Sequence, residues 1–194
     1  VFLHGASGTG KTHLLQAACH AAYDAGHSCV YLPLAELASE DPADVFEGLD
    51  GIDLLALDDL QAVTGREDWE RALFGLINRV RDGTGRLLLA ARSAPEALGC
   101  RLPDLVSRYV WGPVFRLDLP GDRSIKAILR MRAAERGLRL EETVADYLLR
   151  HESRDLESLL RLLDQLDLAA LAEQRALTIP FIREQLRRSS PRTP

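Results

Sequence analysis

Residues 5–12 read G-A-S-G-T-G-K-T, and the reading of this octapeptide decides the fold. The pattern is G-x-x-x-x-G-K-[ST], a phosphate-binding loop in which each fixed position has a mechanical reason. Gly5, Gly8 and Gly10 let the backbone turn tightly and aim its N–H groups at phosphate oxygens. Lys11 brings a point charge to the β- and γ-phosphates, and Thr12 brings a hydroxyl to Mg²⁺. Val1-Phe2-Leu3-His4 is a short apolar strand entering the loop. The stretch THLLQAACHAAY at 12–23 is a helix leaving it, and its N-terminus adds partial positive charge at the anion. Strand, loop and helix in that order separate this motif from a chance Gly-rich turn.

Working outward, short apolar runs bounded by Gly, Pro and Asp recur at 28–33 (SCVYLP), 53–58 (DLLALD), 86–91 (RLLLAA) and 114–118 (VFRLD). With 1–4 they make five candidate parallel strands. Helical stretches lie between them. In 67–82, Trp69, Ala72, Leu73, Leu76, Ile77 and Val80 line one helical face, and Gly83 and Gly85 stop it. The alternation predicts a doubly wound α/β domain over 1–120, with its ligand at the carboxyl ends of the strands. From Pro120-Gly121 onward the pattern is helical only, at about 122–136, 141–151, 155–174 and 179–188. Leu156, Leu159, Leu163 and Leu166 read as the core seam of a small bundle spanning 121–190.

Composition narrows the function class. Of 194 residues, 46% are hydrophobic and 27% charged, which is ordinary for a globular chain. A net charge of −5 argues against a dedicated nucleic-acid surface. No apolar run reaches the ~20 residues of a membrane span, and no secretory leader is visible. Cys19, Cys29 and Cys100 lack metal spacing and read as reduced thiols of a cytoplasmic protein. The five histidines, at 4, 13, 20, 27 and 151, show no ligand spacing either. Trp69 and Trp111 read as core or interface anchors. Arg183, Arg187, Arg188 and Arg192 make a mild basic tail, most simply a solvated helix face.

The run LLALDDLQ at 54–61 places two acids at a strand end beside the loop. Asp58 suits the metal, directly or through water, and Asp59 is a candidate base for a water attacking the γ-phosphate. The plainer alternative is a strand ending in a capping Asp.

These motifs together resemble the AAA+ module of the bacterial replication initiator DnaA. The resemblance is carried by GKTHLL at 10–15, LDDLQ at 57–61 and LPDLVSRYVWG at 102–112. Ser153-Arg154-Asp155-Leu156-Glu157 resembles that family's second sensor segment, and LLDQLD at 162–167 with LTIPF at 177–181 is more closely similar still to the lid of the Hda-type regulatory inactivators. The resemblance covers essentially the whole chain. It implies a P-loop AAA+ fold, an ADP or ATP ligand with Mg²⁺, and a helical lid at 121–190. It also implies a nucleotide site built from Gly5, Ala6, Ser7, Gly8, Thr9, Gly10, Lys11, Thr12 and His13, with Thr12 and Asp58 on the metal. Arg154 becomes a second sensor reaching the phosphates from the lid. Arg108 becomes an arginine finger.

A finger acts across a subunit boundary, so the resemblance implies a partner: DnaA, or a second copy in a homo-oligomer. It implies the sliding clamp as a further partner, through a short motif that would precede Val1. DnaA continues past its lid into a DNA-reading domain, whereas only SSPRTP follows the last helix here. The family's Asp-Arg pair after the fourth strand is replaced by Arg92-Ser93. That mismatch implies weak or absent hydrolysis of the chain's own ATP. The sequence therefore leads to a regulator that stimulates hydrolysis of DnaA-bound ATP in trans and prevents reinitiation. The alternative is an ATP-hydrolysing loader working on single-stranded DNA. A small-molecule kinase is disfavoured, because the helical region looks like an AAA+ lid.

Overall fold

Residues 1–152 and 156–189 are described by a computed structural model of the chain. The chain divides into two compact units, Val1–Leu119 and Pro120–Pro194. In the first, five strands form one parallel sheet: β1 (Phe2–His4), β2 (Cys29–Pro33), β3 (Leu54–Asp58), β4 (Arg86–Ala91) and β5 (Val114–Arg116). Their order is β2-β3-β4-β1-β5. The register sets Phe2 beside Leu89 and Val114, and Leu54 beside Cys29 and Arg86. The ends of all five strands lie within two residues of those expected from the apolar runs.

Strand side chains alternate between the two faces of the sheet. Phe2, Leu55, Leu57 and Leu89 belong to one core, with Trp69, Leu73, Leu76 and Ile77 of α4 (Glu67–Asp82) and Leu105 and Tyr109 of α5 (Pro103–Tyr109). Leu3, Ala56 and Ala90 belong to the other, with Leu15 and Cys19 of α1 (Lys11–Asp24). The small alanines in β3 and β4 leave room for α1 to lie close on the sheet. The sheet is thus helix-covered on both faces, the doubly wound arrangement expected.

Two single-turn helices, α2 (Leu34–Leu37) and α3 (Pro42–Val45), and two 3₁₀ turns, Leu60–Ala62 and Pro95–Ala97, escaped the sequence reading. Each is too short to show a period. α3 begins by local chemistry instead, with Asp41 accepting from the Ala43 N–H at 2.8 Å and Pro42 in its first turn.

The second unit holds four helices among the described residues: α6 (Asp122–Glu135), α7 (Glu142–His151), α8 (Leu156–Glu173) and α9 (Ile179–Ser189). Leu159, Leu163 and Leu166 of α8 are buried among Leu129, Leu148 and Phe181, while Leu156 is half-buried at the margin. Lys126 pairs with Asp146 at 2.9 Å. Arg188 bonds both Glu173 and Glu184, so part of the basic tail is neutralised locally. Arg192 lies outside the described residues. No helix among the described residues is long and apolar enough to cross a membrane.

Candidate functional site

The phosphate loop leaves the carboxyl end of β1. Gly5 cannot carry a side chain there, because a Cβ would stand 2.3 Å from the Leu117 carbonyl oxygen. Gly8 and Gly10 take φ of 82° and 90°, the left-handed region that the turn requires. Ala6 and Ser7 are exposed, and Thr9 folds its hydroxyl back onto the Ala6 carbonyl at 3.0 Å. Lys11 is only 6% exposed, and its ammonium donates to the Gly5 carbonyl at 2.7 Å and the Ala6 carbonyl at 2.9 Å. Burial pushes its pKa below the ordinary lysine range, opposed by Asp58 and Asp59 and assisted by the charge of Arg92. His13 is exposed on the first turn of α1.

β3 delivers Asp58, 1% exposed, beside this loop. Its Oδ2 accepts from the Thr12 hydroxyl at 2.6 Å and from the Tyr31 hydroxyl at 3.0 Å. Its Oδ1 accepts from the Asp59 N–H at 2.9 Å. Burial, then the charge of Asp58, raises the Tyr31 pKa well above the ordinary range, so Tyr31 stays a donor. Asp59 sits at φ 55°, strained for a residue with a side chain. Gln61 donates to Asp59 Oδ1 at 2.6 Å and accepts from the Arg92 N–H at 3.0 Å. It thereby ties the second acid to the end of β4. Tyr31 and Gln61 were missed in the sequence because their partners lie 27 and 31 residues away.

The structure thus brings Gly5–Thr12, Asp58 and Asp59 to one end of the sheet. The donor set fits a nucleotide polyphosphate with Mg²⁺: a buried ammonium, a tight glycine turn at a helix start, and a hydroxyl bonded to a buried carboxylate. Among the described residues no group of three His, Cys, Asp or Glu forms a metal cage of its own. Mg²⁺ typically needs only one or two carboxylates when phosphate oxygens complete its shell. Lys11→Ala is expected to weaken binding of a fluorescent ADP analogue by about 10- to 100-fold, the worth of one charge-assisted contact. A titration with unchanged affinity would remove Lys11 from the site.

Arg108 lies elsewhere. With Arg81 and Trp111 it lines a groove shared with Val1, Gly85 and Leu87, at the amino ends of β1 and β4. The phosphate loop stands at the opposite strand ends. Arg108 Nε donates to Asn78 Oδ1 at 3.0 Å, and its guanidinium carbon stands 4.9 Å from the Phe74 ring centroid. No carboxylate pairs with it among the described residues. Arg154 lies outside the described residues.

One buried acid carries no phosphate chemistry. Glu70 on α4, 1% exposed, accepts from the N–H groups of Gly65 at 2.7 Å, Arg101 at 3.0 Å and Leu102 at 2.8 Å. It pins the segment that leads into α5, and so helps fix the helix carrying Arg108. Burial, reinforced by Glu70, pushes the neighbouring Cys100 thiol up to about 11, which leaves it protonated at neutral pH.

Comparison with known proteins agrees with this architecture. Residues 1–116 match the bacterial DnaA ATPase domain family, and residues 122–186 match the Hda lid domain family. An uncharacterized protein of Haemophilus influenzae is 39% identical over 186 residues, covering 95% of this chain and 80% of that protein. The AMPPCP-bound DnaA of Aquifex aeolicus is 30% identical, with a TM-score of 0.69 over 84% of this chain and 55% of that one. Domain III of Thermotoga maritima DnaA superposes with a TM-score of 0.81 at 22% identity, over 96% of this chain and 82% of that one, a likeness of fold. This chain spans a little over half the length of the Aquifex initiator it matches.

Proposed function

This chain belongs to the bacterial DnaA ATPase domain family and carries an Hda-type lid, and on that premise we propose that it is a nucleotide-bound regulator of replication initiation. It binds ADP or ATP through the loop amides, Lys11 and Thr12, with Asp58 beside the metal. Mg²⁺, when bound, offsets phosphate charge. The chain acts in the cytoplasm, together with the sliding clamp, on DnaA loaded with ATP. Arg108 enters the ATP site of DnaA. There water attacks the γ-phosphorus, and charge spreads over the transferring phosphoryl oxygens. The planar guanidinium fork neutralises that charge, and DnaA is left with ADP and phosphate.

The observation that carries this reading is the position of Arg108. Its guanidinium has no carboxylate partner among the described residues, and it sits at the strand ends opposite the chain's own phosphate loop. An arginine there serves a neighbour, in the head-to-tail contact that an open interface permits.

The complete Thr12–Asp58 pair favours a second reading, an ATP-driven loader on single-stranded DNA. Arg92 opposes it. The end of β4 presents a cation where the family places an acid, and Asp59 is held by Gln61 rather than free to orient water. Intrinsic turnover separates the two. The regulator reading predicts slow hydrolysis of the chain's own ATP that single-stranded DNA leaves unchanged. Stimulation of several-fold or more by single-stranded DNA would favour the loader.

A further inference from the structure

Trp111 is 41% exposed, outside the buried cores, and two guanidinium groups cover its ring. Arg81 Cζ stands 3.8 Å from the ring centroid, and Arg108 Cζ stands 4.1 Å from it. Both guanidiniums therefore lie within cation–π range of the same exposed indole.

The two arginines are held differently. Arg108 is half-buried and also bonded to Asn78 and Ser107. Arg81 is exposed on the last turn of α4, and among the described residues no hydrogen bond or ion pair holds it beside the indole. No carboxylate pairs with either guanidinium among the described residues. A π-face attracts a cation by its quadrupole and leaves the N–H edges unspent. Two unneutralised guanidiniums on one exposed ring make a preformed dication beside the groove, suited to a polyphosphate rather than to a single carboxylate.

We propose that Trp111 is the positioning residue of the finger, and that Arg81 is a second cation for the same anionic ligand, the triphosphate held by the neighbouring subunit. The inference rests on the assignment of Arg108 as a finger. Trp111 limits the rotamers of Arg108, so the guanidinium meets the phosphates already oriented. Arg81 sits at the rim, where charge governs encounter and its salt dependence more than the chemical step.

The test is a saturation series. ATP conversion by DnaA is followed against increasing concentrations of the full-length protein as wild type, Arg81→Ala, Trp111→Ala and Trp111→Phe. Trp111→Ala is expected to lower the maximal rate by about three- to thirtyfold, the range of one cation–π contact. Trp111→Phe, which keeps a π-face, restores most of it. Arg81→Ala raises the half-saturating concentration several-fold, flattens the salt dependence and leaves the maximal rate near wild type. Thermal melting of each variant checks the fold, and an exposed indole outside both cores is dispensable for it. A wild-type maximal rate in Trp111→Ala, or a Trp111→Phe no better than Trp111→Ala, overturns the positioning role. An Arg81→Ala curve superimposed on wild type overturns the second cation. Loss in Arg108→Ala alone therefore leaves the finger standing without this support, whereas no acceleration by wild type removes both.

Discussion

Replacing Arg108 by Ala is expected to abolish most of the acceleration proposed for hydrolysis of DnaA-bound ATP. An arginine finger contributes about 10³–10⁵ in rate, so the loss is bounded only by the total acceleration. The nucleotide affinity of the chain itself stays near wild type, because Arg108 stands at the strand ends remote from residues 5–12. Stability changes little, since the side chain is half-buried and its polar contacts are to Asn78 and Ser107. Arg108→Lys keeps the charge but loses the planar fork, and should recover only a small part of the activity. Single-turnover conversion of labelled ATP on DnaA measures both. Undiminished conversion by a folded Arg108→Ala protein would assign the effect to another group.

The largest stability effect is expected at Glu70. Its two oxygens satisfy three backbone N–H groups inside the first unit. Glu70→Ala leaves those part-buried donors without their acceptor. The cost is about 2–4 kcal/mol, from losing three hydrogen bonds to a buried carboxylate less what local hydration of the part-buried donors recovers. Glu70→Gln keeps one acceptor oxygen and should cost about 1–2 kcal/mol. Urea unfolding of the two variants checks the order. A Glu70→Ala midpoint indistinguishable from wild type would mean that the segment entering α5 is held by its apolar contacts alone. Because that segment precedes Arg108, a folded Glu70 variant should also stimulate DnaA less than wild type.

The contrast between Lys11 and Glu70 shows what the sequence carries and what it withholds. Lys11, Thr12 and the glycines around them are legible because the phosphate loop is a local device, with fixed spacing and fixed flanks. The strands are legible for a similar reason. Parallel strands buried on both faces need unbroken apolar runs, and 54–57 and 87–91 supply them. Glu70 gives no such signal. In sequence it is one of three acids in the first turn of α4, where the helix dipole favours acids anyway. Only tertiary structure brings the Arg101 and Leu102 amides to it, 31 and 32 residues away. Tyr31, Gln61 and Asn78 were hidden in the same way. Their partners are set by which strand ends and helices become neighbours, not by any period. Arg108 lies between these cases. Its segment is identified by resemblance, but its lack of a carboxylate partner among the described residues and the indole beside it belong to the folded chain.

The most direct test of the central claim uses full-length protein, DnaA loaded with labelled ATP, and sliding clamp on DNA. The conversion of bound ATP to ADP is followed with and without this protein. The account predicts acceleration that requires the protein, rises with clamp-loaded DNA, and disappears with Arg108→Ala. No acceleration by folded, nucleotide-bound wild-type protein in the presence of clamp would contradict it. The intact phosphate loop would then have to be explained by the chain's own ATP turnover.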